Sequence, residues 1–208
     1  MGIYSTADKA IKAMNRANLR AFNRLKLAKF DELHLIRAVA DLYDASIALA
    51  KKKYLEVAYE AYIAALIEAE VSRERARDMA GDDITTDWVL DMLEESDPVT
   101  LYEFMAESDR KKQRLIEALA ATKNRNAEID KALRYWTAQV AQYADNMVFQ
   151  ARLAAFKAIG VKKVMWVTQK DERVCEDCEP LDGKIFEIGM VPSTPHWGCR
   201  CYVVPTLK

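Results

Sequence analysis

The sequence predicts a mainly α-helical protein, in which a long-helix hairpin or bundle carries a small C-terminal β module clamped by cysteines. Two observations indicate the helices. Residues 3–159 contain one glycine and one proline, Gly81 and Pro98, and apolar side chains recur there every three or four positions, as on a buried helix face. The third observation is a change of composition after residue 160, where turn residues and all four cysteines are concentrated.

Residues 1–30 are expected to form an amphipathic helix with one cationic face. The segment carries seven basic side chains and one acid, although the net charge of the whole chain is −1. Five of these bases are spaced by three or four residues and therefore share one helix face: Lys9, Lys12, Arg16, Arg20 and Arg24. Simple solvation would account for such a face. The functional alternative is that it binds DNA phosphates without sequence preference, or an acidic surface of a partner protein.

Residues 31–159 are expected to form the helical body. The apolar stripe at its start predicts a first long helix, with a kink or short turn at residues 51–53, where three lysines interrupt the stripe. Gly81 is expected to end that segment. A polar run at residues 123–126 predicts the start of a second long helix, which Gly160 ends. Two long helices with apolar faces favour an antiparallel hairpin or bundle.

Residues 160–208 are expected to form a small Cys-rich β module. Three short segments, at residues 161–168, 184–188 and 201–204, have the composition of strands. Three strands of this length bury too little apolar surface to be stable alone. The module therefore needs a staple formed by its cysteines, or docking onto the helices.

The spacing of the thiols predicts a structural zinc site in this module. Cys175 and Cys178 form a C-x-x-C pair, and His196, Cys199 and Cys201 follow as H-x-x-C-x-C. A closed tetrahedral site needs four ligands, which are either the first three cysteines with the histidine or all four cysteines. The last two cysteines can share one ion only if the chain turns between them. Reduced thiols without a metal, and disulfides, are the two alternatives.

The module combines a D-x-R-V-C start, an L-D-G turn and a C-R-C end. The residues that carry this combination are Trp166, Thr168, Asp171, Arg173, Cys175, Cys178, Leu181, Asp182, Gly183, Phe186, Pro195, His196, Cys199, Arg200 and Cys201. The combination resembles the C-terminal signature of the phage Mu protein F-like minor head proteins. The resemblance implies a structural protein that acts in head morphogenesis of a tailed phage, at or near the portal vertex. It implies portal or capsid proteins as partners and no catalytic residues.

The resemblance further implies a virion component that is assembled in the cytoplasm of the host bacterium, with phage DNA as a candidate partner of the basic N-terminal helix. No stretch approaches the ~18 apolar residues of a membrane span, and the N-terminus lacks the apolar run of a secretory signal, so no membrane partner is expected. The chain also lacks a phosphate-binding glycine loop and the common hydrolase motifs, so neither enzyme activity nor a small-molecule substrate is expected.

Two other functions are compatible with the same residues. One is a zinc-stapled protein that binds DNA independently of sequence through the N-terminal helix. The other is a cysteine-dependent enzyme or toxin-like module, in which His196 would activate a thiol.

Overall fold

The structure, a computed structural model, describes residues 2–27, 32–95, 103–169, 176–193, 196 and 198–206. These residues form six α-helices and one three-stranded sheet, which confirms the mainly α-helical class. The helices are α1 Ser5–Leu27, α2 Glu32–Glu68, α3 Arg73–Asp83, α4 Thr86–Glu94, α5 Phe104–Ala121 and α6 Arg125–Ala158. The strands are β1 Lys163–Val167, β2 Ile185–Glu187 and β3 Tyr202–Pro205.

The two longest helices, α2 and α6, pack along one another and run in the same direction. Three contacts along the pair establish this direction, because both residue numbers rise together: Ser46 with Trp136, Tyr54 with Val140, and Glu68 with Arg152. A direct antiparallel hairpin of the two long helices is therefore wrong. The protein has the expected bundle instead, in which α1 and α5 both pack against this pair and run opposite to it.

A buried chain of hydrogen bonds links three helices of the bundle. The indole N–H of Trp136 on α6 donates to Ser46 Oγ on α2 at 2.6 Å, and that hydroxyl donates to Asn18 Oδ1 on α1 at 2.6 Å. All three side chains are buried. Sliding any of these helices would leave polar groups unpaired in the core, which costs free energy, so the chain of bonds favours one register.

Helix α2 is continuous through residues 51–53, so the expected short turn there is wrong. Lysine is a good helix former, and Lys53 is paired with Glu56 at 2.6 Å on the outer surface. The apolar stripe resumes directly with Tyr54, which is fully buried. The three lysines interrupt the stripe without interrupting the helix.

The first break in the long helical segment lies at residues 69–72 rather than at Gly81. Glu70 adopts a left-handed conformation with φ of 64°, and the N–H of Val71 bonds back to the carbonyl of Leu66 at 3.0 Å. A left-handed residue followed by a hydrogen bond that reaches back five residues is a common way for a helix to end, and the left-handed position is usually glycine. Here Glu70 occupies it. Ser72 then caps α3, and Gly81 lies inside that helix.

The other predicted helix boundaries are confirmed. Asn124 caps α6 by accepting the N–H of Ala127, and Gly160 ends the helix with a φ of 74°. The start of α4, which was not among these predictions, is capped by Thr85, whose side chain accepts the N–H of Trp88. None of the helices in the part of the chain that the structure describes combines the length and the apolar character that crossing a bilayer requires.

The three strands form an antiparallel sheet of order β2-β1-β3 that is docked on α6. Trp166 of β1 is fully buried and packs against Phe149 on α6, with their ring centroids 5.5 Å apart. Arg152 of α6 is also buried, donates two hydrogen bonds to the carbonyl of Val203 at 3.1 and 2.8 Å, and pairs with Glu68 at 2.5 Å. The predicted strands are therefore present, and helix α6 provides their support.

Replacing Ser46 with alanine is expected to lower the free energy of unfolding by about 1–3 kcal/mol. The substitution leaves the Trp136 indole N–H and the Asn18 side chain without their shared partner in the core. Urea denaturation followed by circular dichroism measures this, with Glu60→Ala on the exposed side of α2 as the control. Equal stability of Ser46→Ala and the control would contradict the role of the polar chain.

Candidate metal centre

Two separate turns bring a Cys-Cys-His cluster together. Cys178 immediately precedes the short 3-10 helix Glu179–Leu181. On the second turn, the N–H of Cys199 bonds to the carbonyl of His196 at 3.2 Å, and Gly198 adopts a φ of +77°. This left-handed conformation favours glycine, and it forms a turn that leads into Cys199.

The side chains of the cluster have the spacing of metal ligands. The sulfur of Cys178 lies 3.2 Å from His196 Nε2 and 3.6 Å from the sulfur of Cys199. All three ligand atoms lie within 4.8 Å of one another. Two thiolates bound tetrahedrally to zinc at about 2.3 Å would be roughly 3.8 Å apart, so the observed separation fits one shared ion.

Cys201 lies beside this cluster. The hydrogen bond from the Cys199 thiol lowers the pKa of Cys201 to about 6, and the Cys178 side chain acts in the same direction, against the effect of burial. The same interaction raises the pKa of the Cys199 thiol. The pKa of Cys201 therefore favours a thiolate near neutral pH, which is the form that binds a metal.

The five predicted ligands thus fall into three groups. Cys178, His196 and Cys199 form the cluster, and Cys201 adjoins it through the Cys199 thiol. Cys175 lies outside the described residues. Both Cys199 and Cys201 are free thiols, and the 3.6 Å separation of Cys178 from Cys199 is far longer than a disulfide of about 2.05 Å.

Several residues of the C-terminal motif hold the module in shape. Asp182 Oδ1 accepts the backbone N–H of Thr168 at 2.9 Å, which ties the L-D-G turn to the end of β1. The N–H of Gly183, whose φ is +74°, donates to the carbonyl of Trp166 at 2.9 Å. These contacts give structural reasons for the L-D-G turn.

The loop that carries Cys199 is anchored on two helices of the bundle. Gln142 of α6 accepts the backbone N–H of Gly198, and the hydroxyl of Tyr4 donates to the carbonyl of Cys201 at 2.9 Å. Arg200 pairs with Asp8 of α1 at 3.0 Å and lies over the ring of Tyr4 at 4.3 Å. The start of α1, the middle of α6 and the cysteine loop therefore form one contact region.

Asp145 of α6 is buried in this region. Burial raises its pKa from 3.8 to about 7, Arg200 opposes the change, and Asp8 adds to it. The nearest approach of Arg200 to this carboxylate is 3.6 Å, which is an ion pair but too long for a hydrogen bond. The carboxylate is therefore incompletely compensated, and its ionisation at neutral pH costs stability.

The residues of α6 that contact the cysteine loop were not identified from the sequence. Gln142 and Asp145 are polar residues within the apolar second half of α6, and both are buried. Polar residues in the middle of an otherwise buried helix are the only sequence signal for them, since buried polar groups normally have specific partners.

The five predicted basic residues of α1 all point to solvent. Lys9, Lys12, Arg16, Arg20 and Arg24 are exposed, whereas Ala7, Met14, Phe22 and Leu25 on the other side of the helix are buried. The amphipathic helix is thus formed as predicted. Its cationic face lies outside the cysteine cluster, although Asp8 at its first turn contacts the cluster loop through Arg200.

Comparison with known proteins finds a family match for the C-terminal part of the chain. The family profile described as Phage Mu protein F like protein matches residues 111–204. The resemblance to the phage Mu protein F-like family is confirmed. The match to this family begins in α5 and includes α6, the sheet and the cysteine cluster, which together are slightly less than half of the chain.

One curated relative supports a more local similarity. A segment of 59 residues is 42% identical to an uncharacterized protein of Haemophilus influenzae (strain ATCC 51907 / DSM 11121 / KW20 / Rd). The segment covers 26% of this chain and 13% of that protein, so the chain spans a small part of its relative. No solved structure matches the chain.

Replacing His196 with alanine is expected to lower the metal content of the purified protein. The wild-type protein, purified under reducing conditions, should contain about one metal ion per chain, because its ligands complete one tetrahedral site. Elemental analysis measures the metal content. His34→Ala is the matched control, since the second histidine of the chain lies on the exposed surface of α2. Equal metal content in both variants would contradict the site.

Replacing Asp145 with asparagine is expected to stabilise the protein above neutral pH. Because the folded-state pKa lies above the unfolded value, the folded state binds more protons between pH ~4 and ~7, and the free energy of unfolding falls as the pH rises through that range. At pH 8 the variant should be more stable by on the order of 2–4 kcal/mol, and at pH 4 it should equal the wild type. Urea denaturation at both pH values measures this, and a variant less stable at pH 8 would show that the ionised carboxylate is stabilising.

Proposed function

We propose that the protein is a structural component of the head of a tailed phage, which acts in head morphogenesis at or near the portal vertex and has no catalytic function. The match of residues 111–204 to the phage Mu protein F-like family is the observation that supports this most directly. The matched region contains α6, which packs against α1, α2 and α5, and the small sheet that is docked on α6. The proposal places the protein in the virion after assembly in the host cytoplasm.

We further propose that the cysteine cluster holds a structural zinc ion. Thiolates and imidazole are ligands that zinc prefers, and Cys178, His196 and Cys199 supply both kinds. Cys175 and Cys201 are the candidates for the fourth position. Four ligands from the protein leave no position open for a substrate, so the ion would serve as a crosslink within the module. Elemental analysis that finds zinc rather than iron in the purified protein supports this choice of metal.

The cationic face of α1 is proposed as the surface that binds a partner. Its five bases are exposed side by side, while the opposite side of the helix is locked into the bundle core. The contact from Arg200 to Asp8 and the hydrogen bond from Tyr4 to Cys201 tie the start of this helix to the cysteine loop. The stapled module would therefore hold the cationic face in a defined orientation for an acidic surface of a portal or capsid protein.

Binding of phage DNA without sequence preference is the second candidate function of this face. The exposure of all five bases favours it, because counterion release from phosphates needs accessible cations. Both candidates use the same side chains. They differ in the partner. Reversing the charges of α1 would abolish binding to a portal or capsid protein in the first case and binding to DNA in the second.

A cysteine-dependent enzyme is the less favoured reading. A sulfur and an imidazole nitrogen 3.2 Å apart also have the geometry of a nucleophile and its base. However, Cys178 is only 1% exposed, and a second thiol lies 3.6 Å from its sulfur. A buried sulfur is poorly accessible to a substrate, whereas adjacent buried thiols are the arrangement that a structural metal requires.

Reversing three charges on α1 is expected to weaken co-sedimentation with assembled portal rings by about tenfold or more. The test protein carries Lys12→Glu, Arg16→Glu and Arg20→Glu. The matched control carries Lys52→Glu, Arg73→Glu and Arg77→Glu, an equal charge change at exposed positions on α2 and α3, and should bind within about twofold of the wild type.

Two outcomes would contradict parts of this proposal. If the wild-type protein does not co-sediment with portal rings, the portal assignment is wrong. If the α1 variant still co-sediments but no longer binds duplex DNA in a fluorescence anisotropy titration, the cationic face is a DNA contact and not a protein contact.

A further inference from the structure

A cavity of about 520 Å³ opens between α5 and α6, with Tyr43 of α2 beneath it. It lies along the first third of α6, whereas the cysteine loop contacts Gln142 and Asp145 further along that helix. Its volume is within the range of roughly 300–1,000 Å³ that is usual for ligand-binding cavities. No part of the cysteine cluster or of the cationic face of α1 lines it.

The inner wall of the cavity is apolar. Leu115 and Ala118 line it from α5, and Ala132 lines it from α6. Two of these three side chains are single methyl groups, so the space between the helices is left unfilled. Tyr135 stands at the same cavity with 59% of its surface exposed, which is unusual for a large aromatic side chain in a bundle with a well-packed core.

The mouth of the cavity is positively charged. Lys111, Arg114 and Lys131 line it together with a single acid, Glu128. Arg114 and Lys131 are exposed to solvent. The mouth therefore carries an excess of positive charge beside an apolar interior.

Lys111 connects these two features. Its ammonium group is held at 2.5 Å from Glu107 and lies 5.9 Å from the centre of the Tyr135 ring. Burial lowers the pKa of Lys111, and the neighbouring Arg110 and Arg114 lower it further. Positive charge is thus crowded at this place, and an incoming anion would relieve the crowding.

We propose that this cavity binds an acidic peptide segment of a partner protein, one hydrophobic side chain of which enters the cavity while the flanking carboxylates pair with Arg114 and Lys131. Charge complementarity selects an anionic partner, and the apolar wall requires an apolar group on it. DNA phosphates would satisfy the charge but leave the apolar wall empty. The surface is separate from α1, so the head protein would have two independent contact sites.

A labelled peptide tests this proposal directly. The probe is a fluorescein-labelled heptapeptide of sequence Gly-Asp-Glu-Phe-Glu-Asp-Gly, titrated with the full-length protein and followed by fluorescence anisotropy. One control peptide has serine in place of phenylalanine, and the other has asparagine and glutamine in place of the acids. Both controls should bind at least about fivefold more weakly, because each lacks one of the two features that the cavity recognises.

Two protein variants separate the cavity from general electrostatics. Arg114→Glu with Lys131→Glu should weaken binding of the probe by about tenfold or more, whereas Arg125→Glu with Arg134→Glu should change it by less than about twofold. The control pair has the same charge change at exposed positions of α6 that do not line the cavity. Ala132→Trp, which fills the cavity without changing charge, should also abolish binding, and its thermal unfolding curve reports whether it folds.

Three results would overturn the proposal. The first is equal binding of the phenylalanine and serine peptides, and the second is equal loss of binding in the two double variants. The third is a pair of observations made together: duplex DNA displaces the probe from the wild-type protein, and the same DNA binds the folded Ala132→Trp variant as tightly as it binds the wild type. If Ala132→Trp does not fold, the comparison of the two double charge variants still tests whether the probe binds at the cavity. Failure of these tests leaves the portal experiment on α1 unaffected.

Discussion

The contact between the small sheet and helix α6 is the constraint on which the C-terminal half of the structure depends. Three strands of three to five residues cannot bury enough apolar surface to fold alone. Helix α6 supplies the missing surface through Phe149, and it supplies a polar anchor through Arg152. A buried guanidinium is tolerated only when it is paired, and this one is compensated by Glu68 and by the carbonyl of Val203.

The cysteine loop adds a second attachment of the sheet to the helices. The loop leads directly into β3 and is held by Gln142 on α6 and by Tyr4 at the start of α1. A metal ion at Cys178, His196 and Cys199 would join the two turns that precede β2 and β3. The strands, the loop and the beginning of α1 would then be held together as one body.

Local sequence signals predicted the features that local interactions determine. Helix α6 begins after Asn124 and ends before Gly160, as expected. The face of α1 that carries Lys12 and Arg16 is exposed, as expected. The interrupted apolar stripe is a poor guide to the continuity of α2, because lysine itself favours helix. The end of α2 before Glu70 could not be predicted either, because no glycine marks that left-handed position. Helices α2 and α6 can run in the same direction because α5, which runs opposite to both, lies between them in the chain. This arrangement depends on how the whole bundle packs.

In the candidate site, too, features set by local interactions could be predicted from the sequence, and features set by long-range packing could not. The spacing of the cysteines and the histidine indicated a shared site, and Cys178, His196 and Cys199 do lie together in the structure. The α6 side chains that contact the loop, Gln142 and Asp145, are more than fifty residues away in the sequence. Their partners could not be read from spacing, since long-range contacts of polar side chains depend on how the helices pack.

Hydrogen exchange of the folded protein, with and without a metal chelator, tests most directly whether the cluster fastens the sheet to the helices. Mass spectrometry of peptides from β1, β3 and the centre of α2 would report local opening in each region. Metal removal should speed exchange in the two strands by about tenfold or more and leave exchange at the centre of α2 unchanged. Equal exchange of the strands before and after complete metal removal would contradict this role of the cluster.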